Sequence, residues 1–342
     1  MIESTYITNG RREKRMRKQT TLFAIVLCFV FIALLVGWIG NKNDNSPVNS
    51  VMGSSEQGET FVTVEQFGAD GEDSVDDSAA IQAAIDYSAD SMIGKVRLTG
   101  NKSYILTEGI VVHENVELEF DQNAKVYIEG DFRAFELKRN ASMTNGIIEV
   151  STPKFNSEII SLDGNQKNWS TERTRVHNVT LVNSSGSHKG TALSLIASKP
   201  GDYISFVTIS DVNIVGFNEG IRLEAKTSKV SNHYTWINGN RFINITLDDC
   251  VRCINLIGQV TIPNETSGNQ FSQLQIQISE VTQKAIVISG SANQLNGVIW
   301  DAHLAKDEGP LIELTAQSAD NQLDFNLPYE LIKNLGNKNL YK

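Results

Sequence analysis

The chain has 342 residues, 40% of them hydrophobic and 20% charged, with a net charge of −10 at pH 7. That charge is unevenly spread: within residues 1–20, Arg11, Arg12, Lys14, Arg15, Arg17 and Lys18 stand against Glu3 and Glu13, a local +4 that leaves −14 on the remainder. So acidic a remainder argues against nucleic acid as a partner of the main domain, and the length admits two domains without requiring them.

In chain order, residues 1–20 read as a basic cytoplasmic tail. Residues 21–40 follow without a single charge, and as a helix rising about 1.5 Å per residue they match a bilayer core of about 30 Å. Six cations precede this run and none comes between it and Lys42. The expectation is a single-pass signal anchor in the cell membrane, N-terminus cytoplasmic and the C-terminal domain extracellular. A cleaved signal peptide is the competing reading, but its apolar core is normally about 7 to 15 residues and ends at a small-residue cleavage site. Cys28, inside the run and preceded by Leu27, reads as apolar filler. Residues 41–60, rich in Asn, Ser and Gly, read as a flexible tether, and 61–342 as one extracellular domain.

In that domain Asp76 to Ser78 offer helix N-cap chemistry, and Ile81, Ala84 and Ile85 make an apolar stripe behind them. Past residue 92 no convincing 3.6-residue period recurs. Three ladders replace it. Asn145, Asn178, Asp211 and Asn244 fall 33 residues apart, each opening a short alternating run. Ile160/Leu162, Leu193/Leu195, Ile221/Leu223, Ile254/Leu256, Ile286/Ile288 and Ile312/Leu314 place paired aliphatics at strand spacing. Asn240, Asn269, Asn293 and Asn321 each stand two residues before Phe or Leu.

Recurrence of all three together describes one unit that cannot bury its apolar face alone and must stack on its copies. The period-two alternation, the β-branched residues and the frequent Asn, Gly and Asp breaks make the unit β. The predicted fold is an all-β, right-handed parallel β-helix with an N-terminal capping helix, preceded by one transmembrane helix. Equal positions in successive coils, about 4.8 Å apart, then form columns.

The stretch Phe67-Gly68-Ala69-Asp70-Gly71, followed by Asp76-Asp77-Ser78 and Ile81-Gln82-Ala-Ala-Ile85, resembles the entry motif of the pectate-lyase-like right-handed β-helix superfamily, which includes polygalacturonases, phage tailspikes and exopolysaccharide depolymerases. The resemblance implies the same fold over about residues 61–330, with the helix lying over the open end of the solenoid, and implies no particular activity. Of the polygalacturonase catalytic motifs only Asp248-Asp249 matches. His113, His177, His188, His233 and His303 lack flanking glycines, and Arg-Ile-Lys is absent.

Candidate site residues come from the columns. Aligning Leu247, Ile276 and Ile299 as inward positions puts Asp248, Gln277 and Trp300 together outside, an acid, an amide and an aromatic suited to a pyranose with polar edges and an apolar face. The bland alternative has Trp300 packed under a loop. Asp249 and Asp301 then share a column with Ile278 between them, roughly 10 Å apart at two coil spacings, near the about 6.5–9.5 Å carboxylate separation of inverting glycosidases. They are the catalytic candidates, with turn chemistry as the competing role.

Arg241 heads a strip continuing as Gln270, Gln294 and Gln322 and is a further candidate cation for a substrate, with an inert hydrogen-bonded amide ladder as the equal alternative. Glu219, Arg252 and Lys284 align as a structural ion-pair column or, in a lyase, a base with its cations. Cys250 and Cys253 read as turn packing, with a local disulfide as the alternative. Seven Asn-x-Ser/Thr tripeptides, at Asn101, Asn140, Asn168, Asn178, Asn183, Asn244 and Asn264, are expected from turn composition, with glycan attachment as the alternative in a secreted eukaryotic protein.

The sequence thus points to a membrane-anchored cell-surface protein acting on an extended polysaccharide. Cleavage as a lyase or glycoside hydrolase, non-catalytic binding, and a structural or adhesive role all stay open. No metal site or cofactor is expected, except calcium if the chemistry is that of a lyase, and the oligomeric state is left open.

Overall fold

The computed structural model describes residues 61–227, 230–307 and 309–342. The expected cytoplasmic tail, membrane anchor and tether lie outside the described residues. Among those described, no helix is long and apolar enough to cross a membrane.

Burial alternates along many of the strands, and the chain winds into a right-handed parallel β-helix with sheets of 14 and 12 strands among the described residues. The resemblance to the pectate-lyase-like superfamily therefore holds as a fold. The long strands Arg175–Asn183, Thr208–Val215, Arg241–Asp248, Gln270–Gln277 and Gln294–Trp300 stack in parallel, one per coil. In the other sheet Leu193, Ile221, Ile254, Ile286 and Ile312 lie in register. Ile221, Ile254, Ile286 and Ile312 are 0% exposed. Each such burial contributes about 1.5–3 kcal/mol, and the column is the second ladder of the sequence.

The first ladder does not open strands, as expected, but bends them. Asn145, Asn178, Asp211 and Asn244 have φ of 66°, 53°, 56° and 54°, and the last three interrupt continuous strands as single left-handed residues, which Asn and Asp tolerate. Their side chains do bond along the column: Asn178 Nδ2 donates to Asn145 Oδ1 at 3.0 Å, and Asn244 Nδ2 to Asp211 Oδ1 at 2.7 Å.

The third ladder is interior. Asn240, Asn269, Asn293 and Asn321 are fully buried. Each accepts at Oδ1 from the backbone N–H of the preceding coil, and each Nδ2 donates to a backbone carbonyl and to the next amide. Asn339 closes the series.

The helix Ser78–Asp90 buries Ile81, Ala84 and Ile85 against the first coil, as the stripe predicts. Its N-cap chemistry differs from expectation. Asp76 accepts from the Ser78 N–H, but the carboxylate of Asp77, at the cap position, accepts instead from the N–H groups of Asp70 and Ile105. Asp77 thereby latches the Phe67–Gly71 stretch to strand Ser103–Leu106, and burial pushes its carboxyl up. Gly71 belongs to the same latch: at φ 65°, any Cβ there would sit 2.8 Å from the Tyr104 ring. Of the seven tripeptide asparagines, Asn168, Asn183 and Asn264 are buried.

Candidate functional site

Leu247, Ile276 and Ile299 point inward, so the alternation of their strands sends Asp248, Gln277 and Trp300 outward in one registered column. Trp300 is 50% exposed and is not covered by a loop. Its Nε1–H donates to Gln275 Oε1 at 2.8 Å, a bond to the neighbouring coil that holds the indole against the sheet while half of it faces solvent.

One residue further along, Asp249 and Asp301 turn the corner with φ of 52° and 51°; Ile278 lies between them in the column, its N–H bonded to the Trp300 carbonyl. These two carboxylates are engaged separately. Asp301 Oδ2 accepts from Gln277 Nε2 at 2.6 Å. Asp249 Oδ2 lies 2.7 Å from His188 Nε2.

His188 belongs to the turn between strands Arg175–Asn183 and Thr191–Ala197 and reaches Asp249 across the intervening coil, where Gly216 presents no side chain. The approach is close: a Cβ on Gly216, whose φ is 86°, would meet the Asn183 carbonyl oxygen at 2.5 Å. The turn is internally tied. Asn183 Oδ1 accepts from the Ser185 N–H and hydroxyl, Asn183 Nδ2 donates to the Lys189 carbonyl, and the Ser185 and Ser187 hydroxyls are 2.8 Å apart. His188 itself sits at φ 48°, an orientation held by that frame.

Burial pushes the Asp248 carboxyl up, and the charge of neighbouring Asp249 adds to it against a backbone hydrogen bond that acts the other way. The column therefore offers a carboxyl that retains its proton more readily than usual beside one paired with an imidazole.

Arg241 is not brought to this group. It stands exposed on the leg before the bend at Asn244, in register with Gln270, Gln294 and Gln322. The Glu219 column is an ion-pair network: Arg252 Nη1 and Asn255 Nδ2 donate to Glu219 Oε1 at 2.9 and 2.7 Å, Arg222 Nη1 to Oε2 at 3.2 Å, and Lys284 instead to the Pro310 carbonyl. Glu219, 4% exposed and held by three donors, is tied into this network rather than open to a substrate. Cys250 and Cys253 are free thiols in the core. Calcium wants six or more converging oxygens, and no cluster of three or more His, Cys, Asp or Glu suited to a metal occurs among the described residues.

His188 escaped the sequence reading because nothing at its position repeats: it lies in a turn of its own length, two coils from its partner. No column alignment reaches it.

No protein-family model matches the sequence, and neither does any curated protein. Among solved structures, the chain is similar to ORF18 of Geobacillus virus E2 (16% identity, 82% of this chain and 61% of that one, TM-score 0.37). It is also similar to the tailspike of E. coli bacteriophage HK620 (12%, 78% and 62%, 0.37) and to an iota-carrageenase complexed to iota-carrageenan fragments (14%, 82% and 61%, 0.33). The chain spans about three fifths of the length of each of these structures.

Proposed function

We propose that this chain is a membrane-anchored, extracellular β-helix protein that hydrolyses an extended polysaccharide at the Asp248–Asp249 corner. The observation that carries the reading is the pair itself: two adjacent carboxylates in different environments, one raised by burial and one against His188, beside a half-exposed indole. Environments that separate two carboxyls assign acid and base in glycoside hydrolysis.

In this reading Asp248, protonated, gives its proton to the glycosidic oxygen as the bond to the anomeric carbon breaks. Asp249 takes a proton from the water whose oxygen bonds to that carbon, and His188 holds Asp249 in place. Trp300 stacks on a sugar face, and Gln277 with Asp301 contacts hydroxyls. Arg241 lies outside the reacting group and contacts the polymer further along the leg. The uncharged run 21–40 supplies the anchor, and the helix Ser78–Asp90 shields the first coil from edge pairing.

One observation favours binding without cleavage. Two cavities, about 430 Å³ around Glu119, Asp121, Asn145 and Asn178 and about 500 Å³ around Gln294, Gln322 and Leu340, are lined by other residues than the Asp248 group, and either could hold a saccharide without cleaving it.

The full-length chain is to be incubated with a panel of neutral and acidic polysaccharides and new reducing ends counted for wild type, Asp248→Asn, Asp249→Asn and Trp300→Ala. Cleavage that either Asp variant abolishes supports hydrolysis. Cleavage surviving both removes the assignment, and Trp300-dependent retention of a polymer without any cleavage makes the protein a binding protein.

A further inference from the structure

A second aromatic group lies on the leg that closes each coil. Strands Tyr203–Ser205, Thr235–Asn238 and Asn264–Ser267 register Tyr203 on Trp236 and Trp236 on Glu265, with Ile204, Ile237 and Thr266 turned inward. The rings of Tyr203 and Trp236 stack with centroids 4.7 Å apart and planes 2° from parallel. Trp169, one coil earlier, meets Tyr203 edge-on at 5.8 Å and Phe206 at 5.0 Å. Burial does not account for the set, because Trp169 and Phe206 are 44% and 36% exposed.

Phe206 is the telling member. It occupies the left-handed corner position, φ 62°, which later coils give to Gly239, Gly268 and Ala292 at 66°, 62° and 54°. A bulky side chain is strained there, and its ring lies over Gly239, where any Cβ would meet it at 2.9 Å. An aromatic that is neither buried nor at ease in its backbone is explained by what it presents. The rim is polar and in register: the Ser205 hydroxyl donates to Asn238 Oδ1, and Asn238 Nδ2 to Glu265 Oε1 at 3.3 Å. Glu172 accepts from the Trp169 N–H. Carboxylates therefore flank both tryptophans.

We propose that Trp169, Tyr203, Phe206 and Trp236 form a saccharide-stacking platform, with Asn238 and Glu265 as its hydrogen-bonding rim, that holds uncharged pyranose rings of an extended polymer. Flat apolar faces beside amide and carboxylate acceptors, repeated once per coil, fit a ligand with apolar faces and hydroxyl edges. Glu172 and Glu265 favour an uncharged sugar over a uronate. The platform shares with the hydrolytic reading only its ligand class, and uses none of its residues.

Native electrophoresis of the full-length chain in non-ionic detergent, through gels cast with hydroxyethylcellulose, dextran or alginate, tests it. At least one neutral polymer is expected to slow wild type, and Trp169→Ala/Phe206→Gly to weaken that retention about tenfold; Trp300→Ala, run beside it, reads the Asp248 face separately. Because Phe206→Gly relieves backbone strain, that single variant should melt no lower than wild type, and its own weakened retention separates lost stacking from unfolding. Equal retention in the double variant, retention by alginate alone, or no retention in any gel overturns the platform. Loss in Trp300→Ala alone does so too and assigns binding to the Asp248 face; loss in the double variant leaves the platform standing, whether or not Trp300→Ala also weakens retention.

Discussion

His188 and Asp249 are 61 residues apart in sequence and 2.7 Å apart in space. Their contact crosses a whole coil, and it exists because Gly216 leaves the path open and the Asn183–Lys189 turn is tied to itself. If His188 positions the base, His188→Ala and Asp249→Asn should each lower reducing-end release by about 10²- to 10⁴-fold, and the double variant little further, since residues acting as a unit are not additive. Initial rates and Trp300-dependent binding, measured side by side, check this; additive losses would separate the two residues.

Asp248 makes stability depend on pH. Its carboxyl is raised above 3.8 in the folded state, so the native chain binds a proton more tightly than the unfolded one. That stabilisation is complete below the unfolded value and is lost as pH rises through the folded value. Melting curves in steps upward from pH 3.8 should show this decline in wild type and less of it in Asp248→Asn. An identical profile for both removes the role of burial at this carboxyl.

Ile254 stacks on Ile221 and Ile286 in the core. Ile254→Asp should destabilise by about 4 kcal/mol or more, through an unpaired buried charge, and Ile254→Ala by about 2–5 kcal/mol. Urea titration of the two variants gives both numbers.

Asn269 joins two neighbours in the interior ladder, accepting from Asn240 and donating to Asn293 and the Ile237 carbonyl. Asn269→Ala strands donors on one side and acceptors on the other, a loss of about 3 kcal/mol at 1–3 kcal/mol per unsatisfied group. Hydrogen exchange should quicken first at the Asn240 and Val207 coils; protection unchanged from wild type would mean the ladder is dispensable.

Protease added to intact cells should release a fragment of about 280 to 300 residues, cut near the tether. Recovery of the intact chain after such treatment would overturn the anchored, extracellular topology.

The columns were legible in the sequence because a solenoid is quasi-one-dimensional: a residue's partners are its equivalents one coil away, so a period of some 24 to 33 residues writes the register directly. Ile221 on Ile254, Asp248 beside Gln277 and Trp300, and Glu219 beside Arg252 were all readable that way. Asn339 was missed as the end of the interior ladder because Tyr341 replaces the Phe or Leu of the earlier coils.

What the sequence by itself determined is therefore the parallel β-helix, its inward and outward residues and the makeup of each column. The tertiary structure alone decided which column members engage one another, because side chains at a corner choose partners according to turns that do not repeat. It turned Asp249 to His188 and Asp301 to Gln277, half-buried Asp248, and laid Trp300 against Gln275. It also gathered Trp169, Tyr203, Phe206 and Trp236, whose spacing in the chain announces nothing, into one exposed face where three coils close.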